Sequence, residues 1–319
     1  MTSSRLPATP LVTVCMPVYN AGKYLSGAIE SILRQTLPDL EFLIFDDGST
    51  DGSLETAERF ARSDSRIRVF PQEHCGYTPH LNEGLRRACA PLYARMDADD
   101  IAAPERLEKQ LRYLDDHTDC VAVGTQALLV DEDDCPVLRT QHPLEHSVIE
   151  SLHLQGRIRV HDPSLVLRTE VMRQIGGYDP RFEPAEGFEF LLRLGEVGRL
   201  ANMPDFLYRY RLHDKQVTVR RYERQQQAMK EALVEACRRR GLTMTHAGPY
   251  LDRRTERPWQ THILWAECAY RSGFQATAMK HARLGVALRP WSRTAWRVLY
   301  RVATRGPDPL AQASSPPES

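Results

Sequence analysis

Three groups of acids have the spacing to do chemistry: Asp46 and Asp47 in "FDDGSTDGS", Asp97, Asp99 and Asp100 in "ARMDADD", and Glu186 and Glu189 in "RFEPAEGFEFLLRL". In an extended segment, residues two apart point to the same side, so Asp97 and Asp99 can converge on one object. Two convergent carboxylates repel each other unless a cation neutralises them. Oxygen donors alone suit a hard divalent ion, Mg²⁺ or Mn²⁺, and such ions keep open positions for substrate phosphates. A phosphate-bearing ligand is the natural partner. The same acids have plainer uses: Asp99 or Asp100 can cap a helix beginning near Pro104, and Asp46 and Asp47 can form a turn with Gly48 and Ser49. In the third group, acids suit the start of a helix, where the dipole favours negative charge. Gly187 between them does not, because glycine costs about 0.5–1 kcal/mol relative to alanine inside a helix.

The elements that must position these acids alternate in the first half of the chain. "LVTVCMPV", "LEFLIFDD", "RIRVF", "LYARMD" and "CVAVGTQALLV" read as strands, with helical patterns between them at residues 23–35, 53–62, 79–88 and 104–117. Alternation of this kind predicts β-α-β units and a sheet covered on both faces. Ligands bind at the carboxyl ends of such strands, where the acids fall. After about residue 140 the pattern changes to loops, a helix after Ala185 and the strand-like "DFLYRYRLH" ending at His213. From Val219 onward everything reads helical: one helix over residues 222–240, then "WQTHILWAECAYRSG" and "QATAMKHARLGVALRP" as a hairpin of the tetratricopeptide kind. A single unit of that kind buries its faces only by docking, on the catalytic part, a partner or a second copy. The tail "GPDPLAQASSPPES" has a disordered composition.

The chain has 319 residues, 42% of them hydrophobic, and Lys+Arg and Asp+Glu both total 42. That balance describes an ordinary globular protein and gives no field for drawing in nucleic acid. The seven cysteines are scattered without a C-x-x-C pair, which points to a reducing compartment rather than a disulfide framework. No apolar run is long enough to span a bilayer, so the location expected is cytoplasmic, with any membrane contact peripheral at the inner face.

Taken in order, "PVYN" at 17–20, "DDGSTDGS" at 46–53, "LNEGLRRA" at 81–88, "ARMDADD" ending at Asp100, "GGYDPRF" at 176–182 and "YRLH" ending at His213 resemble family 2 glycosyltransferases over residues 10–218. The resemblance implies an α/β GT-A fold, a Rossmann-like mixed sheet flanked by helices, here with a C-terminal all-helical extension. It divides the chain into a flexible 1–10, a transferase domain 11–218 (nucleotide-sugar half 11–103, acceptor half 104–218), a helical extension 219–304 and a tail 305–319. It also implies an inverting transfer from a nucleotide-diphosphate sugar to a saccharide, glycolipid or other hydroxyl acceptor, assisted by Mn²⁺ or Mg²⁺. Pro17, Tyr19, Asn20, Asp47, Asn82 and Asp97 match donor-binding positions, and Asp97, Asp99 and His213 match metal-site positions. His161 and the Gly176-Gly177-Tyr178 turn line up with acceptor-side segments.

The departure from the family is at Gly187. The family's base is the Asp of an "ED" pair, and here Glu186 keeps the first acid while glycine replaces the second. Glu186, adjacent and one methylene longer, is the replacement expected. Glu189 is a weaker catalytic candidate, because two residues on a helix differ by about 200°. The rival is a slow or non-catalytic donor-binding scaffold. A nucleotidyltransferase would need a basic, glycine-rich phosphate loop where this chain has "MPVYNAGKY". The C-terminal arginines 238–240, 253, 254, 289, 293 and 297, interleaved with Trp259, Trp291 and Trp296, could lie on anionic lipid headgroups.

Overall fold

Apolar runs flanked by turn residues become the strands of one sheet in a computed structural model, which describes residues 9–213, 221–244 and 257–305. The strands are β1 Val12–Val18, β2 Leu40–Asp46, β3 Ile67–Pro71, β4 Leu92–Arg95, β5 Ile101–Ala102, β6 Cys120–Val130, β7 Pro136–Arg139, β8 Val166–Arg168 and β9 Arg199–Arg211. Their order is β3-β2-β1-β4-β8-β6-β9-β5, with β7 paired to β6. β1 lies parallel to β2 and β4, and β2 parallel to β3. Val12 to Val18 is buried at every position, as both faces of a central parallel strand must be. Beyond β4 the direction alternates: β8 is antiparallel to β4 and β6, and β9 to β5. The sheet is therefore mixed, and β8 comes from the segment whose short apolar stretch carries no clear periodicity.

Four helices follow the early strands: α1 Leu25–Leu33, α2 Ser53–Ser63, α3 Tyr77–Arg87 and α4 Arg106–Asp116. α5 His146–His153, α6 Thr169–Gln174 and α7 Glu186–Val197 come next. After them come α8 Tyr222–Arg239, α9 Pro258–Arg271, α10 Gln275–Leu288 and α11 Arg293–Thr304. No described helix is long and apolar enough to cross a membrane.

The chain forms two compact units, and they do not follow the division expected at residue 218. The first comprises Met1–Ala127, Gln141–Arg209 and Arg220–Leu251; the second comprises Leu128–Thr140, Tyr210–Val219 and Asp252–Ser319. α8 thus belongs with the sheet domain. Its stripe of Ala228, Met229, Ala232, Leu233 and Ala236 packs on Phe182, Ala185, Phe188 and Leu192 at the foot and face of α7, a 3.6-residue repeat matched to a partner helix. Arg239 and Arg240 both reach Glu196, and Arg240 also reaches Glu150. These two arginines are committed to the fold rather than to a lipid surface.

In the second unit α9, α10 and α11 share a core of Ile263, Ala266, Ala269, Ala278, Ala282, Ala295, Val298 and Val302. The helical hairpin docks on the β6-β7 turn of the same chain. Arg139 lies over the Phe274 ring at 4.5 Å. The buried Asp131 carboxylate accepts from Lys280 Nζ at 2.6 Å and contacts His281 Nε2 at 2.9 Å. The N-terminus expected to be flexible falls mostly, and the tail expected to be disordered almost wholly, outside the described residues, as do Arg253 and Arg254.

Candidate active site

The acids at the sheet edge are held by two loops and one helix start. At the end of β1, Pro17 is buried and Tyr19 is exposed, its ring 4.5 Å from that of His74. Asn20 adopts φ +50°, and its Oδ1 accepts from Thr50 N at 2.8 Å while its own N donates to Ser49 Oγ at 3.0 Å. Asparagine tolerates that left-handed conformation better than most residues. The loops after β1 and β2 are thereby pinned together.

Asp47, one residue past β2, is buried and densely bonded. It accepts from Cys75 N at 2.7 Å and Gly76 N at 3.2 Å, and contacts His80 Nε2 at 2.7 Å and His74 Nδ1 at 2.8 Å. Burial pushes its carboxyl up, but the Cys75 amide and the His80 and His74 rings outweigh it and hold the carboxyl below its ordinary range. Asp47 is therefore an anion at neutral pH.

At the end of β4, Asp97 and Asp99 are half-buried, and Asp100 is fully buried. The Tyr77 hydroxyl donates to Asp97, and Arg95 Nε approaches the same oxygen at 3.4 Å. The Asp97 amide donates to the Tyr208 hydroxyl at 3.3 Å. Arg95 is buried, with its guanidinium 4.8 Å from the Tyr77 ring. Its far side donates to Asp162, whose other oxygen accepts from the Tyr178 hydroxyl at 3.2 Å. Glu186 opens α7 beside this group, and its Oε2 has no hydrogen-bond partner among the described residues. Burial raises the Glu186 carboxyl above its ordinary range, and Arg95 only partly offsets that.

Asp162 accounts for the glycine. A Cβ built on Gly187 would lie 2.2 Å from Asp162 Oδ2 and 2.9 Å from its Cγ. The space that a side chain at 187 would need is filled by a carboxylate from the Asp162–Ser164 turn. The sequence signal was available in "HDPS": an acid absent from the helix start and an acid present 25 positions earlier. Only the fold places the two against each other.

Two of the expected site residues are bonded within the fold. Asn82 donates to Tyr178 O at 2.7 Å and accepts from Tyr178 N at 2.8 Å, fastening the Gly176-Gly177-Tyr178 turn rather than facing a ligand. Glu189 is buried in a two-pronged pair with Arg193, at 2.6 Å for each bond. Arg193 in turn donates to the carbonyls of Ile175 and Gly177. Glu189 thus supports the same turn and lies apart from the Glu186 cluster. His161 is half-buried 5.2 Å from the Tyr208 ring, and desolvation there holds its imidazole neutral. His213 follows β9 and falls in the second unit.

A mixed sheet with acids at its ligand edge and an acid-bearing helix start is the framework of a nucleotide-sugar transferase of the GT-A type. Residues 13–170 match the family model "Glycosyl transferase family 2". An uncharacterized glycosyltransferase of Haemophilus influenzae is 33% identical over 220 residues, 66% of this chain and 68% of that protein. The O-antigen biosynthesis glycosyltransferase WbnJ of Escherichia coli is 29% identical over 209 residues, 64% of this chain and 81% of its own. The chain belongs to glycosyltransferase family 2. Among solved structures, mannosyltransferase PcManGT from Pyrobaculum calidifontis, in complex with GDP-Man and Mn²⁺, superposes with a TM-score of 0.56. It covers 92% of this chain and 79% of its own at 21% identity, a likeness of fold.

Proposed function

We propose that this protein transfers a sugar from a nucleoside-diphosphate donor to an acceptor hydroxyl with inversion, in the assembly of a surface polysaccharide or glycolipid. The observation that carries the reading is Glu186: a desolvated carboxyl with one unpartnered oxygen, beside Asp97 at the carboxyl edge of the sheet. A carboxylate with a raised pKa is a stronger base than an ordinary one, and so suits removal of the acceptor's proton. Tyr19, Asn20 and Asp47 line the edge where a nucleoside would sit, with Asp47 offering a fixed anion to base N–H groups. Asp97 and Asp99 supply only oxygen donors, which fit a hard divalent ion such as Mn²⁺ or Mg²⁺. The bound ion would supply charge neutralisation for the departing diphosphate. Arg95 and Tyr77 fix the Asp97 carboxylate from the protein side. Asp162 locks Arg95 and, by filling the Gly187 space, leaves Glu186 as the acid at the start of α7 with an unpartnered oxygen. The mannosyltransferase complex with GDP-Man and Mn²⁺ supports a donor and ion of these classes.

The test is nucleoside-diphosphate release from UDP-, GDP- and TDP-sugars with Mn²⁺ or Mg²⁺, comparing the natural chain with Asp99→Ala and Glu186→Gln. Metal-dependent release lost in Asp99→Ala and sharply reduced in Glu186→Gln supports the reading. Tight nucleotide binding without turnover in any donor and acceptor mixture would replace it with a donor-binding scaffold. A membrane-bound acceptor is favoured by the exposed Trp291, Trp296 and Tyr300 beside Arg293 and Arg297. Flotation with anionic vesicles tests it, and absence of binding discards it.

A further inference from the structure

Besides the oxygen pair at the end of β4, a second set of metal-ligand atoms converges near the end of β2, and its chemistry is different. One ligand atom each from Asp47, Cys75 and His80 lie within 4.8 Å of one another. Among the described residues this is the group in which three such atoms meet. His80 Nε2 stands 3.5 Å from Cys75 Sγ and 2.7 Å from Asp47 Oδ1. His74 Nδ1 is 2.8 Å from Asp47 Oδ2, on the other oxygen of that carboxylate and outside the group.

We infer that Asp47, Cys75 and His80 form a three-ligand site for a soft divalent cation of the zinc kind, with the fourth position left for water. Thiolate and imidazole select Zn²⁺ over Mg²⁺ or Mn²⁺. In a tetrahedral zinc site, bond lengths of about 2.3 Å to sulfur and 2.05 Å to nitrogen place those two ligands about 3.6 Å apart. The Cys75–His80 separation already has that value within about 0.1 Å. The carboxylate has to retreat from His80 by about 0.6 Å to reach the oxygen–nitrogen spacing of such a site. That retreat replaces the proton now shared between the two groups with the metal. Two of the three ligands come from a stretch of six residues, "CGYTPH". Gly76, at φ +94°, lets the chain turn there. His80 is buried and held by α3, while Cys75 and His74 are exposed and admit the ion from solvent. On binding, the Cys75 thiol proton leaves to solvent, and the His80 ring changes tautomer, its proton passing from Nε2 to Nδ1.

One consequence rests on the donor reading above: a cation here takes the Asp47 carboxylate, so zinc and nucleotide exclude each other.

The experiment is titration of the chelator-stripped full chain with Co²⁺, followed by Zn²⁺. The expected result is one equivalent of Co²⁺ giving near-ultraviolet thiolate-to-cobalt absorption and tetrahedral visible bands, resistant to excess Mg²⁺ and bleached by Zn²⁺. Co²⁺ held by Asp97 and Asp99 alone gives no thiolate band. Cys75→Ser, at an exposed position, retains the fold by circular dichroism, loses the band and weakens Zn²⁺ binding on the order of tenfold or more. Cys89→Ser, at another exposed thiol, changes neither. Absence of a thiolate band in the natural chain, or a band that survives Cys75→Ser, overturns the site. In the zinc-loaded protein, UDP and GDP affinity falls, and the fall is lost in Cys75→Ser. Zinc bound with nucleotide affinity unchanged leaves the soft site standing and refutes the nucleotide role of Asp47.

Discussion

Replacing Gly187 with alanine tests the packing that explains the missing acid. The new methyl carbon would stand 2.2 Å from Asp162 Oδ2 and 2.9 Å from Cγ, where ordinary contact begins at 3.4 Å. The carboxylate has to move by about 1 Å, and overpacking of this kind costs about 1–3 kcal/mol. Moving it also breaks a charge-assisted bond to the buried Arg95 and the Tyr178 hydroxyl contact, worth a further 1.5–3 kcal/mol or so. The sum is roughly 2.5–6 kcal/mol, or a fall in melting temperature of about 5–20 °C for a domain of this size. Asp162→Ala alone leaves Arg95 short of one carboxylate and costs about 3–5 kcal/mol. The decisive variant is the double one, Gly187→Ala with Asp162→Ala. With the clash removed it is no less stable than Asp162→Ala, a coupling of about 2 kcal/mol or more. Gly187→Asp with Asp162→Ala goes further, returning a carboxylate toward Arg95 from the helix side. Urea unfolding and thermal melting of these four variants and the natural chain measure this. A Gly187→Ala protein as stable as the natural chain, or a strictly additive double variant, refutes the packing argument.

Glu186→Gln should reduce turnover by about 10²- to 10⁴-fold. Because burial raises the Glu186 carboxyl and the base acts only when ionised, kcat/KM falls as pH drops through a value above the ordinary carboxylate range. Glu186→Gln abolishes that limb; unchanged turnover assigns the base elsewhere. His153 is buried, and its pKa is lowered by desolvation, then by neighbouring positive groups, to about 3. The unfolded chain binds that proton near pH 6.5, so the stability His153 contributes is complete above pH 6.5 and is lost as pH falls toward 3. Melting temperature against pH shows the slope, and His153→Leu flattens it. Asp131→Asn cuts the bond to Lys280 and weakens the contact with His281. It should destabilise the second unit by about 1–3 kcal/mol, read as faster amide exchange in α9 to α11; unchanged exchange rules out Asp131 as their anchor.

The early strands were legible because a parallel strand buried on both faces has to be a continuous apolar run, as in Val12 to Val18, and the turn acids after it mark the ligand edge. What the chain order hides is which element a side chain meets. Asn82 and Glu189 are the residue types of a binding site, yet both fasten the turn at Gly177, a partnership across separate elements. Asp162 is an unremarkable acid until Gly187 is brought against it. The amphipathic stripe of α8 announces a helix, but its complement on α7 is a matter of tertiary packing, so the sequence does not tell that residues 222–239 pack with the sheet domain. Cys75 and His80 are close in sequence, but their ligand atoms meet only because the chain turns at Gly76 and α3 begins immediately after it.

The β6-β7 turn has a consequence during synthesis. Asp131 is made 149 residues before Lys280, and at about 5–20 residues per second that is a delay of roughly 7–30 s. For that interval the sheet domain has most of its strands, while the turn carries a buried acid awaiting its counter-charge and Phe274 has not arrived to cover Arg139. A nascent chain arrested before α10 therefore presents an unfinished corner in the middle of its sequence.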